Sequence, residues 1–398
     1  MIEITSMDHN GRGIGKLNNK IVFVKNALPG EIVNLKILKE KKNFIEAEVL
    51  SYIKKAENRI ESACPYYLEC GGCDLLHLNY NDQLKFKQDK INNIINRYLD
   101  ANITINYIVK CDDNFNYRNK VSFQVKEKIG FYNDKTYEII PVESCLIGNK
   151  LINNSIKYLN KLDLKNISKI ICRTGNNKLM IILESTTLDL DITSLKEIAD
   201  SIYIKKDNEY ILKYKDKYIT ESLNNYKYLI SPDSFFQINI NICIKLYNKI
   251  KEYVGSGNNV IDLYCGTGSI GIFISENNNV IGIELNKYAI LDANLNKELN
   301  NLKNIDFICG DSGKMLNKIN FKPDIIIVDP PRSGLSKETI TNLLKYNPKK
   351  IIYVSCDPMT LARDLNILKE HYNIDELTPY DMFPNTKHVE CLCLLTKK

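Results

Sequence analysis

Hydrophobic positions change their spacing twice along the chain. In the first 53 residues they alternate with polar ones in short runs: Lys20-Ile-Val-Phe-Val-Lys25, Glu31-Ile-Val-Asn-Leu-Lys36 and Phe44-Ile-Glu-Ala-Glu-Val-Leu50. Gly11-Arg-Gly-Ile-Gly15 and Pro29-Gly30 punctuate them. Short strands separated by turns predict a small β unit over residues 1–53. Residues 54–225 mix strand-like runs, at 121–125 and 179–183, with helical ones, which predicts an α+β central region. Its first helix is expected over 81–91, with Asp82 as the cap and the lysines facing outward. From residue 226 onward, near-continuous apolar runs alternate with helix-length stretches. Strands are predicted at 260–264, 280–284, 305–309, 324–328, 351–355 and 391–396, with helices such as 288–299 and 337–346 between them. Buried strands alternating with helices imply a mostly parallel, doubly wound α/β sheet of Rossmann-like type over 226–398.

Composition adds bounds. A chain of 398 residues exceeds one ordinary core, and 44% hydrophobic with 26% charged residues is a globular balance. Net charge is +6, and residues 1–60 hold 11 Lys+Arg against 7 Asp+Glu. So modest an excess fits a solvated surface, yet a basic β module attached to an enzyme also suits a polyanionic substrate. On that background the first unit reads as a barrel of the OB type or as another small β domain. Met1-Ile-Glu-Ile-Thr5 lacks the basic start and apolar stretch of a secretory leader, and no run of about 18 apolar residues exists. Twelve cysteines in that setting predict reduced, cytoplasmic thiols, some of them for metal or catalysis. Neither a membrane nor a protein partner is implied.

Asp262-Leu-Tyr-Cys-Gly-Thr-Gly268 follows an expected buried strand and opens a helix. Gly266 and Gly268 suit a tight turn that lets backbone approach a ligand. Glu284 ends the next strand, 22 residues after Asp262, the spacing at which a carboxylate meets ribose hydroxyls. Asp311 ends the third strand, where it can meet an adenine amine. Acidic residues ring the loop without a phosphate-binding Lys or Arg. That favours S-adenosylmethionine over a dinucleotide, whose pyrophosphate seeks a helix N-terminus.

Cys356 follows the apolar run Ile351-Ile-Tyr-Val-Ser355 and precedes a helix start, so it lies at the C-terminal edge of the sheet. Most cysteines are small buried hydrophobes, and Glu390 taken alone is an ordinary carboxylate. Together, beside a methyl-donor site, they suit methylation of a pyrimidine carbon. Thiolate addition at C6 makes C5 nucleophilic, and a base must later remove the C5 proton. In Asp329-Pro-Pro-Arg332, Arg332 replaces the aromatic residue with which amine methyltransferases stack their target base, and Pro331 occupies the place of a cytosine enzyme's cysteine. Uracil is therefore the expected base.

Ser234-Phe-Phe-Gln-Ile-Asn239, the 262–268 loop, Asp329–Arg332, the segment from Val354 to Asp364 and Asp381-Met-Phe-Pro-Asn-Thr-Lys-His-Val-Glu390 resemble the RNA 5-methyluridine methyltransferases over most of the chain. The resemblance implies Cys356 as nucleophile, Glu390 as proton acceptor, and Gln237, Tyr264, Glu284 and Asp329 in the S-adenosylmethionine pocket. Asp357 stands where many members carry Asn, and Asn385 where His is frequent.

Cys64, Cys70 and Cys73 are spaced C-x5-C-x2-C, and Cys145 follows at a distance. Four such residues suit zinc, an iron–sulfur cluster or no metal at all. The pattern is similar to that of the ribosomal-RNA branch of the family, which implies a [4Fe–4S] cluster, a TRAM domain in the first 53 residues and 23S ribosomal RNA as the partner. The same reaction on the transfer-RNA T-loop, and a non-catalytic RNA-binding factor, are the alternatives.

Overall fold

The computed structural model describes residues 1–99, 103–316, 319 and 321–398. In the first unit, strands Ile2–Met7, Gly13–Leu17, Lys20–Lys25, Ile32–Glu40 and Phe44–Lys54 form a closed barrel. The first strand pairs with the fourth to close it, Ile2 opposite Val33. Alternation carries Ile2, Ile4, Val22, Val24, Val33, Ile45 and Ala47 inward. Gly15 is where the backbones come closest: a Cβ there would lie 2.6 Å from the Glu3 carbonyl oxygen. Glu31 is fully buried at the barrel's end and accepts hydrogen bonds from the Leu28 and Ala56 amides and from Arg59.

The central region is built on a seven-stranded sheet whose middle strands are Ser201–Lys206, Lys178–Ser185, Ile167–Gly175 and Lys120–Val125. Helix Lys150–Leu159 adds Ile152, Ile156 and Leu159 to its core.

The third unit is the expected doubly wound sheet. Its parallel strands run in the order Ile305–Cys309, Asn279–Glu284, Asn259–Leu263, Ile325–Val328 and Lys350–Ser355. The order reverses between Asn259–Leu263 and Ile325–Val328, the switch point where open α/β sheets bind ligands. Strand Glu390–Lys397 then runs antiparallel between Lys350–Ser355 and Tyr372–Tyr380. The hydrophobic pattern does not announce Tyr372–Tyr380, because Asp375, Glu376 and Pro379 interrupt it and a bulge falls between Ile374 and Glu376. Thr104–Ile105 extends the edge by pairing with it. Helix Ile240–Val254 packs on one face, and helices Tyr80–Tyr98, Lys337–Tyr346 and Pro358–Leu368 pack on the other. Helix Tyr80–Tyr98 and strand Thr104–Ile105 thus belong spatially to the C-terminal layer. Among the described residues no helix is long and apolar enough to cross a membrane.

Helix Tyr80–Tyr98 is longer than the sequence suggests, and its cap is Asn79, whose side chain accepts from the Asp82 amide. Its lysines do not all face outward. Lys87 is fully buried, with Nζ bonded to Asp381 and to the Phe383 carbonyl oxygen. Tyr80 reaches the other Asp381 oxygen at 2.8 Å. The charge is tolerated because its partner and hydrogen bonds travel with it. Lys87→Met should destabilise the fold by about 3–5 kcal/mol, since Asp381 would be left buried and unpaired. Urea unfolding is the check, and an unchanged midpoint would mean that Asp381 recovers its hydrogen bonds from water.

Candidate active site

Three strand ends meet at the carboxyl edge of the sheet. Ser355 is the last residue of its strand and pairs with Cys391. Cys356 directly follows that last pair and Glu390 directly precedes it on the partner strand, so the ladder ends with the thiol and the carboxyl near each other. Asp329 leaves the neighbouring strand, its amide bonded to the Leu263 carbonyl. Helix Pro358–Leu368 starts directly after the thiol. Asp357 caps it by accepting from the Met359 and Thr360 amides, both at 3.0 Å, and Pro358 occupies the first turn. Asp357 therefore holds the thiol's flank rather than acting on a ligand. Asp364, fully buried, fastens the 329–335 loop by accepting from the Leu335 amide and the Tyr353 hydroxyl.

Desolvation dominates the electrostatics. Glu390 is 3% exposed, and burial, then the nearby Asp329, push its carboxyl well above the ordinary range, with Arg332 opposing. Asp329 is also raised, by burial. Cys356 is half-buried and pushed up to about 11 by burial first, then by Glu390 and Asp329; Arg332 draws it down. His388 is lowered to about 4 by burial, with Arg332 contributing. Near neutral pH the resting edge thus favours a protonated Glu390 and Cys356 and an uncharged His388.

The 262–268 loop follows strand Asn259–Leu263. Tyr264 takes φ 62°, a region rare for an aromatic residue and found chiefly where surrounding structure enforces it. Gly268 has φ 78°, and a Cβ on it would lie 2.4 Å from the Phe307 ring. Tyr264 Oη lies 3.2 Å from Thr339 Oγ1. Asp262 is fully buried and raised to about 8 by burial; Oδ2 accepts from the Gly271 amide, while Oδ1 has no partner. Glu284 accepts from the amides of Gly266 and Asn286. Asp262 thus keeps one buried oxygen unpaired, and both Glu284 oxygens face backbone amides of the loop and of the turn after the strand.

A cavity of ≈ 150 Å³ brings Gly266 and Glu284 together with Ser234, Phe235 and Tyr288. Gln237, Tyr264, Gly268, Asp311 and Asp329 do not line it. Gln237 is buried with its carbonyl held by Asn119, and Asp311 is exposed, its Oδ1 accepting from the Lys314 amide. Phe235 and Tyr288, 66% and 58% exposed, were not singled out from sequence. Their signal was an aromatic side chain within the Gln237 motif and another at the start of helix Lys287–Leu299, just after Glu284.

Cys64, Cys70, Cys73 and Cys145 line a single cavity of ≈ 610 Å³ with Arg118 and Tyr132, and none is in a disulfide. Cys145 is fixed by hydrogen bonds between its backbone and the Asn153 side chain. The Gly72 amide donates to Cys70 Sγ at 3.4 Å. Arg118 Nε is buried without a hydrogen-bond partner. Among the described residues no three His, Cys, Asp or Glu side chains are gathered closely enough for a metal ion. The expected set therefore shares one cavity without being drawn together as the ligands of one ion.

Residues 79–398 match the tRNA (Uracil-5-)-methyltransferase family and residues 1–50 the TRAM domain. An uncharacterized RNA methyltransferase of Clostridium tetani is 36% identical over 99% of this chain and 95% of its own. One from Staphylococcus aureus is 34% identical over 99% and 97%. Among solved structures, the tRNA (uracil-54, C5)-methyltransferase of Pyrococcus abyssi, in complex with S-adenosyl-L-homocysteine, superposes with a TM-score of 0.84 at 28% identity, covering 100% of this chain and 99% of that one. With four-fifths of its length matched, a TRAM barrel ahead of it and relatives similar from end to end, the chain belongs to the tRNA (uracil-5-)-methyltransferase family.

Proposed function

We propose that this enzyme methylates C5 of uridine in 23S ribosomal RNA through a covalent adduct at Cys356. The observation that carries the reading is the end of the ladder at Ser355 and Cys391, which leaves Cys356 and the buried Glu390 flanking that pair, with Asp329 beside them at the switch point. Cys356 Sγ, as thiolate, adds to C6 of the uracil ring, and the electron pair moves toward C5 and O4. Gln237, Tyr264, Gly266, Gly268, Glu284, Asp311 and Asp329 would hold S-adenosylmethionine, which would supply the methyl group that C5 takes up and leave as S-adenosylhomocysteine. Glu390 removes the C5 proton, the C5–C6 double bond re-forms, and the C6–S bond breaks to release the thiolate. Arg332 favours the thiolate against the two carboxyls. The unspent Asp262 oxygen and the doubly accepting Glu284 are what a cofactor rich in hydroxyl and amino donors would fit.

Cys64, Cys70, Cys73 and Cys145 would hold a [4Fe–4S] cluster, a group larger than one ion and suited to thiols spread around a shared cavity. It would support structure or RNA placement, since the methyl transfer needs no electron. The cysteine spacing, similar to that of the ribosomal-RNA branch, supports ribosomal RNA, and the basic barrel supports an RNA partner of either kind. A second reading, the transfer-RNA T-loop, is favoured by the end-to-end likeness to the Pyrococcus abyssi transfer-RNA enzyme.

Incubation with methyl-labelled S-adenosylmethionine and, separately, unmodified 23S and transfer RNA should place 5-methyluridine in 23S RNA alone. Label confined to transfer RNA would transfer the same chemistry to the second reading. Cys356→Ala should lower turnover by at least about 10³-fold while changing S-adenosylmethionine affinity by no more than about twofold. Residual turnover near that of the natural enzyme would remove the thiol from the mechanism. Glu390→Gln should trap RNA on Cys356, visible as a slow band on a denaturing gel, because elimination waits for the proton. Cys356 and Glu390 act deprotonated and both are shifted upward. Their reactive forms are thus gained as pH rises, and kcat/KM should climb from pH ~6.5 to ~9 without levelling at the ~8.5 of a free thiol. A profile flat across that window would contradict the assignment.

A further inference from the structure

The 381–389 stretch that delivers Glu390 carries a set of contacts the methyl transfer does not use. At its centre stands Asn385, 1% exposed and in the left-handed region at φ 66°. Its carbonyl accepts from the Asp74 and Leu75 amides, both at 3.0 Å. Its amide donates to Gln83 Oε1 at 3.1 Å, its Oδ1 accepts from Gln83 Nε2 at 3.2 Å, and its Nδ2 donates to the Asn114 carbonyl at 2.6 Å. Asp74 closes the arrangement: Oδ2 accepts from the Lys387 amide at 3.1 Å and Oδ1 pairs with Lys387 Nζ at 3.3 Å. The Tyr117 hydroxyl donates to the Pro384 carbonyl, and Lys90 Nζ to that of Lys387.

Three segments remote in sequence therefore converge on one turn. A non-glycine residue in this conformation costs about 1–3 kcal/mol and persists where its surroundings over-determine it. Here every backbone and side-chain group of Asn385 has a partner on a different segment. Burial or solubility of the turn alone would not demand such a set. Placement of the carboxyl five residues later would, because a general base must lie within hydrogen-bond reach of the proton it removes.

We propose that Asn385 and Asp74 are positioning residues for the proton-removal step. They fix the 381–389 turn so that Glu390 meets the C5 proton. Because Asp74 directly follows Cys73, they also join the cysteine-lined cavity to the uridine site. The inference rests on the functional reading above and goes beyond it: it names the residues that set the base.

The test uses the full chain with Asn385→Gly, Asp74→Ala and Asp74→Asn, next to the natural enzyme and Glu390→Gln. Asn385→Gly keeps the backbone conformation at no steric cost and removes only the side-chain contacts. Both Asn385→Gly and Asp74→Ala should lower kcat by about 10- to 100-fold, the cost of misplacing a catalytic group by about an ångström. KM for RNA and S-adenosylmethionine affinity should change by less than about threefold, which separates the step from binding. Methylated RNA should accumulate as the covalent adduct in these variants, as it does in Glu390→Gln. Asp74→Asn keeps an acceptor for the Lys387 amide and should recover most of kcat. A fall in kcat without adduct, a loss of S-adenosylmethionine binding in step with activity, or an unchanged kcat would each overturn the proposal. If the natural enzyme forms no 5-methyluridine and Glu390→Gln traps nothing, the functional reading fails. If Glu390→Gln traps RNA and Asn385→Gly does not, the positioning role alone fails.

Discussion

The antiparallel ladder between Lys350–Ser355 and Glu390–Lys397 holds this site together. A wholly parallel sheet would send every strand's carboxyl end to the same edge and supply loops only. Reversing one strand brings an amino-terminal strand end to that edge, so Glu390 enters from the opposite direction and lies near Cys356 at the ladder's end. Side chains alternate with a period of two, so a slip of one residue would turn Glu390 to the other face. Leu392, packed in one core layer, and Cys391 and Cys393, packed in the other, pin that register from both sides.

The same burial that fixes the geometry sets the chemistry. Asp262, Asp329, Cys356 and Glu390 are all shifted upward, and desolvation is the leading cause for each. A dry edge crowded with acidic groups stores protons. Arg332 is the countervailing charge, drawing down both the thiol and Glu390. Its place after Pro331 therefore serves electrostatics where an amine methyltransferase would use a stacking ring.

Much of this was legible along the chain because the signals are local. Buried parallel strands are continuous apolar runs, strand ends are marked by Asp329 and Cys356, and the cofactor loop shows its glycines. What stayed hidden depends on distant partners. Lys87 looked like one more solvated lysine, since the Asp381 that neutralises it lies on the far side of the molecule in sequence. Thr104–Ile105 is too short to have a period, and Tyr372–Tyr380 carries a proline and two acids. Asn385 was noticed only as a departure from a family pattern, although its neighbours lie near residues 74, 83 and 114. No periodicity reports such a convergence.

The place of Glu390–Lys397 inside the sheet also governs the order in which the molecule can be completed. Strand Tyr372–Tyr380 has no other route into the main sheet, and it carries Thr104–Ile105 with it. A chain emerging from the ribosome can fold its barrel and central sheet first, as domains generally do. Its methyltransferase sheet is complete only when Glu390–Lys397 is seated, since that strand joins Tyr372–Tyr380 and Thr104–Ile105 to the parallel strands. Seating that one strand therefore brings the Glu390 carboxyl to the Cys356 thiol and closes the sheet in a single step.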